Sequence, residues 1–172
     1  ILGQVPAGQA IRRAGARPGD DIWVSGAIGD GWLGLRAARG EWPDPDGRLA
    51  RRYRLPEPRL ATGRALRGVA RAMMDVSDGL LQDLGHLCRA GGCAAVVEAA
   101  RIPVSDRAAP VAALATGGDD YELLLAASPG DAARCRALGL ARIGCFTAGP
   151  PRVTMVDEEG RDITPARLGW SH

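Results

Sequence analysis

The chain contains no lysine and no asparagine, so apart from two histidines its basic side chains are all arginines. Such a bias is the ordinary signature of a GC-rich genome, but it has a chemical consequence. A Schiff-base lysine, a P-loop lysine and a lysine general base are all excluded within this chain. Aromatics are equally sparse, with 4 Trp, 2 Tyr and 1 Phe, so the core must be built from Leu, Val, Ile and Ala. The formal charge is only +2. That is too weak to point to nucleic acid, which requires clustered cations. The cysteines Cys88, Cys93, Cys135 and Cys145 form no CxxC pair, and His86 and His172 stand at no zinc-ligand spacing from them. Buried, reduced thiols in a cytoplasmic protein are the expectation. No apolar run approaches membrane-spanning length, and no signal peptide is expected. A chain of 172 residues suits one domain and can bury a full core without staples. It opens on Ile1-Leu2-Gly3-Gln4-Val5, without Met and in an extended pattern, as a piece of a longer protein would.

What is present alternates between strand and helix. Asp21 to Ser25 reads as a buried strand, followed by a glycine-rich turn and a helix from Trp32 to Arg39. Glu41 to Gly47, broken by two prolines, is a loop, and Arg48 to Arg54 is a solvated helix end. Pro58 can open a helix reaching about Ala70. Ala72 to Val76 is a strand entering the core. Gly79 to Ala90 is an amphipathic helix with Leu80, Leu81, Leu84, Leu87 and Cys88 on one stripe and Asp83 and His86 off it. Further on, Ala94 to Val97 is a strand, Asp106 to Leu114 a helix, and Tyr121 to Ala126 a strand. A helix opens at Pro129-Gly130-Asp131, and Arg142 to Phe146 and Arg152 to Val156 read as a closing pair of strands. The alternation implies an α/β or α+β layered domain, and α+β, a mixed β-sheet flanked by α-helices, is the class expected.

Four stretches could carry chemistry. In Asp75-Val76-Ser77-Asp78-Gly79, extended backbone puts Asp75 and Ser77 on one side, and Asp78 falls at the strand-to-helix turn. A helix N-terminus attracts phosphate, and two carboxylates beside it stop repelling that phosphate if they hold Mg²⁺. The simpler alternative makes Ser77 or Asp78 an ordinary N-cap. In Gly117-Gly118-Asp119-Asp120-Tyr121-Glu122, paired glycines admit close backbone approach and the acids stand at a strand entrance. The alternative is a polar turn with Glu122 on a solvent face. Gly29-Asp30-Gly31 superficially suggests a phosphate loop but lacks both GxGxxG and the Walker A residues. Gly169-Trp170-Ser171-His172 ends the chain with an aromatic that could stack on a ligand or pack on the domain edge.

In order along the chain, Arg13 to Asp21 with Ser25 to Asp30, MMDVSDGLLQDLGHL at Met73 to Leu87, GGDDYELLL at Gly117 to Leu125, and GWSH at the end resemble thiamine-monophosphate kinases. These stretches together are similar to the C-terminal domain of that family, in the aminoimidazole ribonucleotide synthetase-like superfamily. The resemblance implies ATP-dependent phosphorylation of thiamine monophosphate to thiamine diphosphate. It implies Mg²⁺ on Asp75 and Asp78, ATP contacts from Arg13 and Ser77, and substrate contacts from Asp119 and Trp170. No residue of this chain is assigned a covalent catalytic role. Asp119 stands where the family usually has Glu, one methylene longer. The resemblance further implies a missing N-terminal domain that binds ATP and metal, a homodimer in the complete enzyme, and little or no activity for this stretch alone. The alternatives are a non-catalytic phosphate- or thiamine-binding module, or another superfamily enzyme such as an aminoimidazole ribonucleotide synthetase.

Overall fold

The computed structural model describes residues 4–170. The strand expected to begin at Ile1 therefore lies largely outside the described residues, as do Ser171 and His172. Gln4 and Val5, its described end, are exposed and not in a strand.

Six strands form one sheet: β1 (Asp21–Val24), β2 (Ala70–Asp75), β3 (Ala94–Glu98), β4 (Leu123–Ala127), β5 (Ala141–Thr147) and β6 (Val153–Val156). Their spatial order is β2-β4-β1-β5-β3-β6. All neighbours are antiparallel except β3 and β6, which run parallel, so the sheet is mixed as expected. The last two strands are not a closing pair, because β3 inserts between them and takes hydrogen bonds from both sides.

Strand alternation sorts the core into two faces. Ile22, Val24, Leu124 and Ala126 point to one face and meet α4 (Leu80–Gly91) through Leu80, Leu81, Leu84 and Leu87. All four leucines are fully buried, each side chain contributing about 1.5–3 kcal/mol relative to exposure. Gly92, in the left-handed conformation, ends the helix as its sequence predicts. Trp23, Leu125 and Ala127 point to the opposite face, where Leu66, Val69, Cys135 and Leu140 cover them. A third cluster, around Leu33, Leu49 and Leu114, packs α1 (Asp30–Ala38) and α2 (Arg48–Arg54) against α5 (Val111–Thr116). Cys88, Cys93 and Cys135 are buried free thiols, and burial pushes Cys88 up to about 12.

Two helices and one acid differ from expectation. α3 spans only Leu60–Ala65, since Ala70 is drawn into β2 by pairing with Ala127. α5 begins after Pro110 rather than at Asp106, whose carboxylate instead accepts from Ala108 N–H and Trp42 Nε1. Asp83, although off the leucine stripe, is buried.

Candidate functional site

The edge strand β2 carries Asp75 at its C-terminal end, exposed, and the chain then turns through Val76-Ser77-Asp78 into α4. Neither Ser77 nor Asp78 is the N-cap, a position Gly79 occupies without any side-chain cap. Asp83, one turn into the helix, reaches back instead. Its Oδ2 accepts from the backbone N–H of Ser77 at 2.9 Å and of Asp78 at 3.0 Å. That fixes the turn, and the Ser77 and Asp78 side chains beside it are both half-buried. Burial raises the Asp83 pKa against the lowering effect of those two bonds. Carboxylate oxygens of Asp78 and Asp83 and a ring nitrogen of His86 lie within 4.8 Å of one another. Asp83 is already engaged as a cap, however, and His86 Nδ1 meets the Arg89 guanidinium at 3.0 Å.

The Gly117–Glu122 stretch zips onto this turn. Asp119 N–H donates to Ser77 O at 2.9 Å, Tyr121 N–H to Val76 O at 2.8 Å, and Val76 N–H to Glu122 O at 2.8 Å. Close approach demands glycine at two points. A Cβ on Gly118, which has φ 76°, would lie 2.7 Å from Ser77 O, and one on Gly31 would collide with the Asp119 backbone. Asp119 and Tyr121 themselves hold φ 60° and 52°, the positive-φ residues other than glycine among those described. Such backbone costs about 1–3 kcal/mol per residue and persists only where its surroundings over-determine it.

Those surroundings can be named. Asp120, fully buried between the two strained residues, accepts from Gly29 N–H at 3.0 and 2.8 Å and from Gly31 N–H at 2.9 Å. The Gly29-Asp30-Gly31 turn is therefore not a free phosphate loop, because an internal carboxylate already occupies the N-terminus of α1. Burial pushes Asp120 up to about 7, with the glycine N–H groups and Arg52 opposing and Asp30 assisting. Glu122 is buried rather than solvent-facing. Arg59 grips it with two bonds, at 2.8 and 2.6 Å, and Arg52 adds a third at 2.7 Å. Ser25 Oγ donates to it at 2.6 Å, and Arg52 also donates to Asp120 O at 2.7 Å. Sequence reasoning missed this cluster. The signal for it was weak: two arginines on a surface-like segment and one acid in a strand-like run.

Trp170 joins the two motifs. Its N–H donates to Asp78 O at 2.9 Å and its Nε1 to Gly117 O at 3.1 Å, while Gln82 Nε2 bonds to its carbonyl. Trp170 nevertheless remains 56% exposed, with the Arg167 guanidinium 5.7 Å from its ring centroid. Thr116, Arg167, Gly169 and Trp170 line a hollow of about 130 Å³ beside it. A cleft of about 510 Å³ lies elsewhere, between Ile102, Val104, Val111 and Ile163, and contains none of the predicted site residues. Ser77, Asp78, Asp119 and Trp170 are thus brought together by direct bonds, with Asp75 at the head of the same turn. Arg13 takes no part in those bonds. It is exposed on the segment beside β2, where Arg12 O accepts from Met73 N–H.

A six-stranded mixed sheet ending in this acid-rich turn defines a class. Residues 17–155 match the model of the AIR synthase related protein, C-terminal domain, and the chain belongs to that family. Within it, the chain is 44% identical to the thiamine-monophosphate kinase of Caulobacter vibrioides over 100% of its own length and 53% of the relative's. The fold matches the crystal structure of thiamine-monophosphate kinase from Stenotrophomonas maltophilia K279a with TM-score 0.78 and 37% identity, over 88% of this chain and 55% of that one. It also matches a structure described as AaThiL complexed with AMPPCP and TMP, with TM-score 0.81 and 28% identity, over 94% and 54%. The resemblance read from the motifs is borne out. The chain spans about half the length of the curated relatives it matches. Among the described residues no helix is long and apolar enough to cross a membrane.

Proposed function

We propose that this chain is the C-terminal half of a cytoplasmic thiamine-monophosphate kinase, which transfers the γ-phosphoryl group of ATP to thiamine monophosphate and yields thiamine diphosphate. The observation that carries this reading is the convergence of the two acidic motifs and Trp170 through the Asp119–Ser77, Trp170–Asp78 and Trp170–Gly117 bonds. The AMPPCP and TMP named with the AaThiL structure are an ATP analogue and a phosphate ester of the matching class, which supports the same pair of ligands here.

Phosphoryl transfer asks for alignment and charge neutralisation more than for a nucleophilic side chain. Asp119 takes the polar edge of the thiamine moiety and Trp170 offers its exposed face to the rings. Ser77 and Arg13 contact ATP. Asp75 and Asp78 present hard carboxylate oxygens at an open turn, the donor type Mg²⁺ takes, and would hold it. When bound, the metal neutralises charge between the two phosphates. The remaining ATP and metal contacts come from an N-terminal domain, through which the complete enzyme dimerises.

The test is formation of thiamine diphosphate from ATP and thiamine monophosphate by the complete protein. Product must appear with Mg²⁺ and vanish with chelator. Failure to form it, with a folded protein and both substrates saturating, would remove the proposal.

A further inference from the structure

Tyr121 is an anomaly that the proposed roles leave unused. It is a bulky aromatic held at φ 52°, a conformation that is a genuine outlier for such a residue. Tyr121 is 42% exposed although it stands just before β4, whose Leu125 lies in a buried cluster. Three separate devices keep it there. Asp120 anchors the preceding residue inward on Gly29 and Gly31, Arg52 holds the Asp120 carbonyl, and Arg59 with Arg52 clamps Glu122 on the other side. The Tyr121 N–H is itself spent on Val76 O. With Asp120 and Glu122 both turned inward, Asp119 and Tyr121 are left outward together, and the phenol donates to Asp119 Oδ1 at 3.1 Å. Burial raises the phenol's pKa, and the charge of Asp119, its bond to the phenol and the charge of Asp75 add to that.

We propose that Tyr121 is a substrate-positioning residue, which orients the Asp119 carboxylate through its hydroxyl and thereby makes an aspartate serve where the resemblance expects the longer glutamate. The proposal rests on the kinase reading above. An aspartate has two side-chain torsions, and at the half-buried Asp119 the bond from the Tyr121 hydroxyl restrains them. The phenol, two residues on, is itself fixed by the strained backbone. One carboxylate oxygen then stays on the hydroxyl and the other is left for a donor group of the ligand. The side chain does not enter the chemical step, so its effect belongs in substrate affinity rather than in turnover.

A double-mutant cycle in the complete protein tests this, read as KM for thiamine monophosphate, KM for ATP and kcat. Tyr121→Phe keeps the ring and should raise KM for thiamine monophosphate about five- to tenfold, with KM for ATP and kcat within about twofold. In an Asp119→Glu background the same Tyr121→Phe change should matter less than about twofold, because the longer acid no longer needs the hydroxyl. A purely structural tyrosine would give equal effects in both backgrounds, and that result overturns the proposal. So does an unchanged KM in Tyr121→Phe. If the wild-type protein turns over no thiamine monophosphate at all, the kinase reading fails first and takes this inference with it. A wild-type enzyme that is active but indifferent to Tyr121→Phe leaves the kinase reading standing and removes only the inference.

Discussion

The face of α4 and the Gly117–Glu122 loop are held by opposite kinds of physics. The helix face is four leucines and a cysteine against the sheet, all non-directional burial in relaxed backbone. The loop has almost no apolar contribution of its own. It is fixed by backbone bonds to the Val76–Ser77 turn, three bonds on the Asp120 carboxylate and the Arg52–Glu122–Arg59 cluster, and it carries two strained residues. Stability in the first region comes from area. In the second it comes from pairing, and the strain stored there is what presents Asp119 and Tyr121 outward. The same molecule therefore keeps its fold and its site on separable supports.

The contrast breaks most visibly on truncation. Glu122→Ala leaves Arg52 and Arg59 without their shared partner, and loss of one member of a buried ion cluster costs about 3–5 kcal/mol. Leu84→Ala opens a cavity beneath α4 for a comparable cost of about 2–5 kcal/mol. Urea denaturation checks both. The difference should show in the complete enzyme at low temperature, where both variants are folded: Glu122→Ala loses affinity for thiamine monophosphate and Leu84→Ala retains it. Equal kinetics would mean the two supports are not separable.

Removing charge without removing shape sharpens the comparison. Asp75→Asn and Asp78→Asn should each slow the kinase by at least about 10–100-fold, the loss common for groups that merely support a metal's ligands, with the unfolding midpoint little changed. Wild-type turnover in either would return the turn to a purely structural role. A smaller effect is expected from Trp170→Ala, roughly tenfold in KM for thiamine monophosphate, or about 1.4 kcal/mol, with KM for ATP unchanged.

The two regions were not equally legible in the amino-acid sequence. The leucine spacing of α4 and its glycine terminator are local signals, and the helix lies within a residue of where they place it. The end of α3 was misjudged because the competing signal, pairing of Ala70 with Ala127, is 57 residues away and carried by alanines that show no preference. Asp75, Ser77, Asp78, Asp119 and Trp170 were recognisable as motif residues, and Ser77, Asp78, Asp119 and Trp170 do converge. The roles of Asp83, Asp120 and Glu122 were hidden, since an acid in the sequence looks the same whether it faces water or turns inward onto backbone N–H groups or arginines.

The smallest effect concerns pH. The folded-state pKa of Asp120 is raised to about 7, and that of Asp83 is raised as well, both chiefly by burial. A carboxyl group raised on folding holds its proton longer in the native state, so stability falls as pH climbs from about 4 through 7. Asp44, Asp157 and Asp162 are lowered, are ionised in both states above about pH 5, and add little to the slope there. The melting temperature should therefore decline modestly between pH 5 and pH 8, and Asp120→Asn should flatten the decline. An undiminished slope in that variant would place its origin elsewhere.

The central claim is that the two acidic motifs and Trp170 make one substrate site. Its most direct test is a crystal structure of the complete protein with Mg²⁺, a non-hydrolysable ATP analogue and thiamine monophosphate. The account predicts metal density on the carboxylates of Asp75 and Asp78, the thiamine rings against the exposed face of Trp170, and Asp119 within hydrogen-bonding distance of the ligand. Metal bound away from both aspartates, or thiamine seated in the cleft near Ile102 and Ile163 instead, would contradict it.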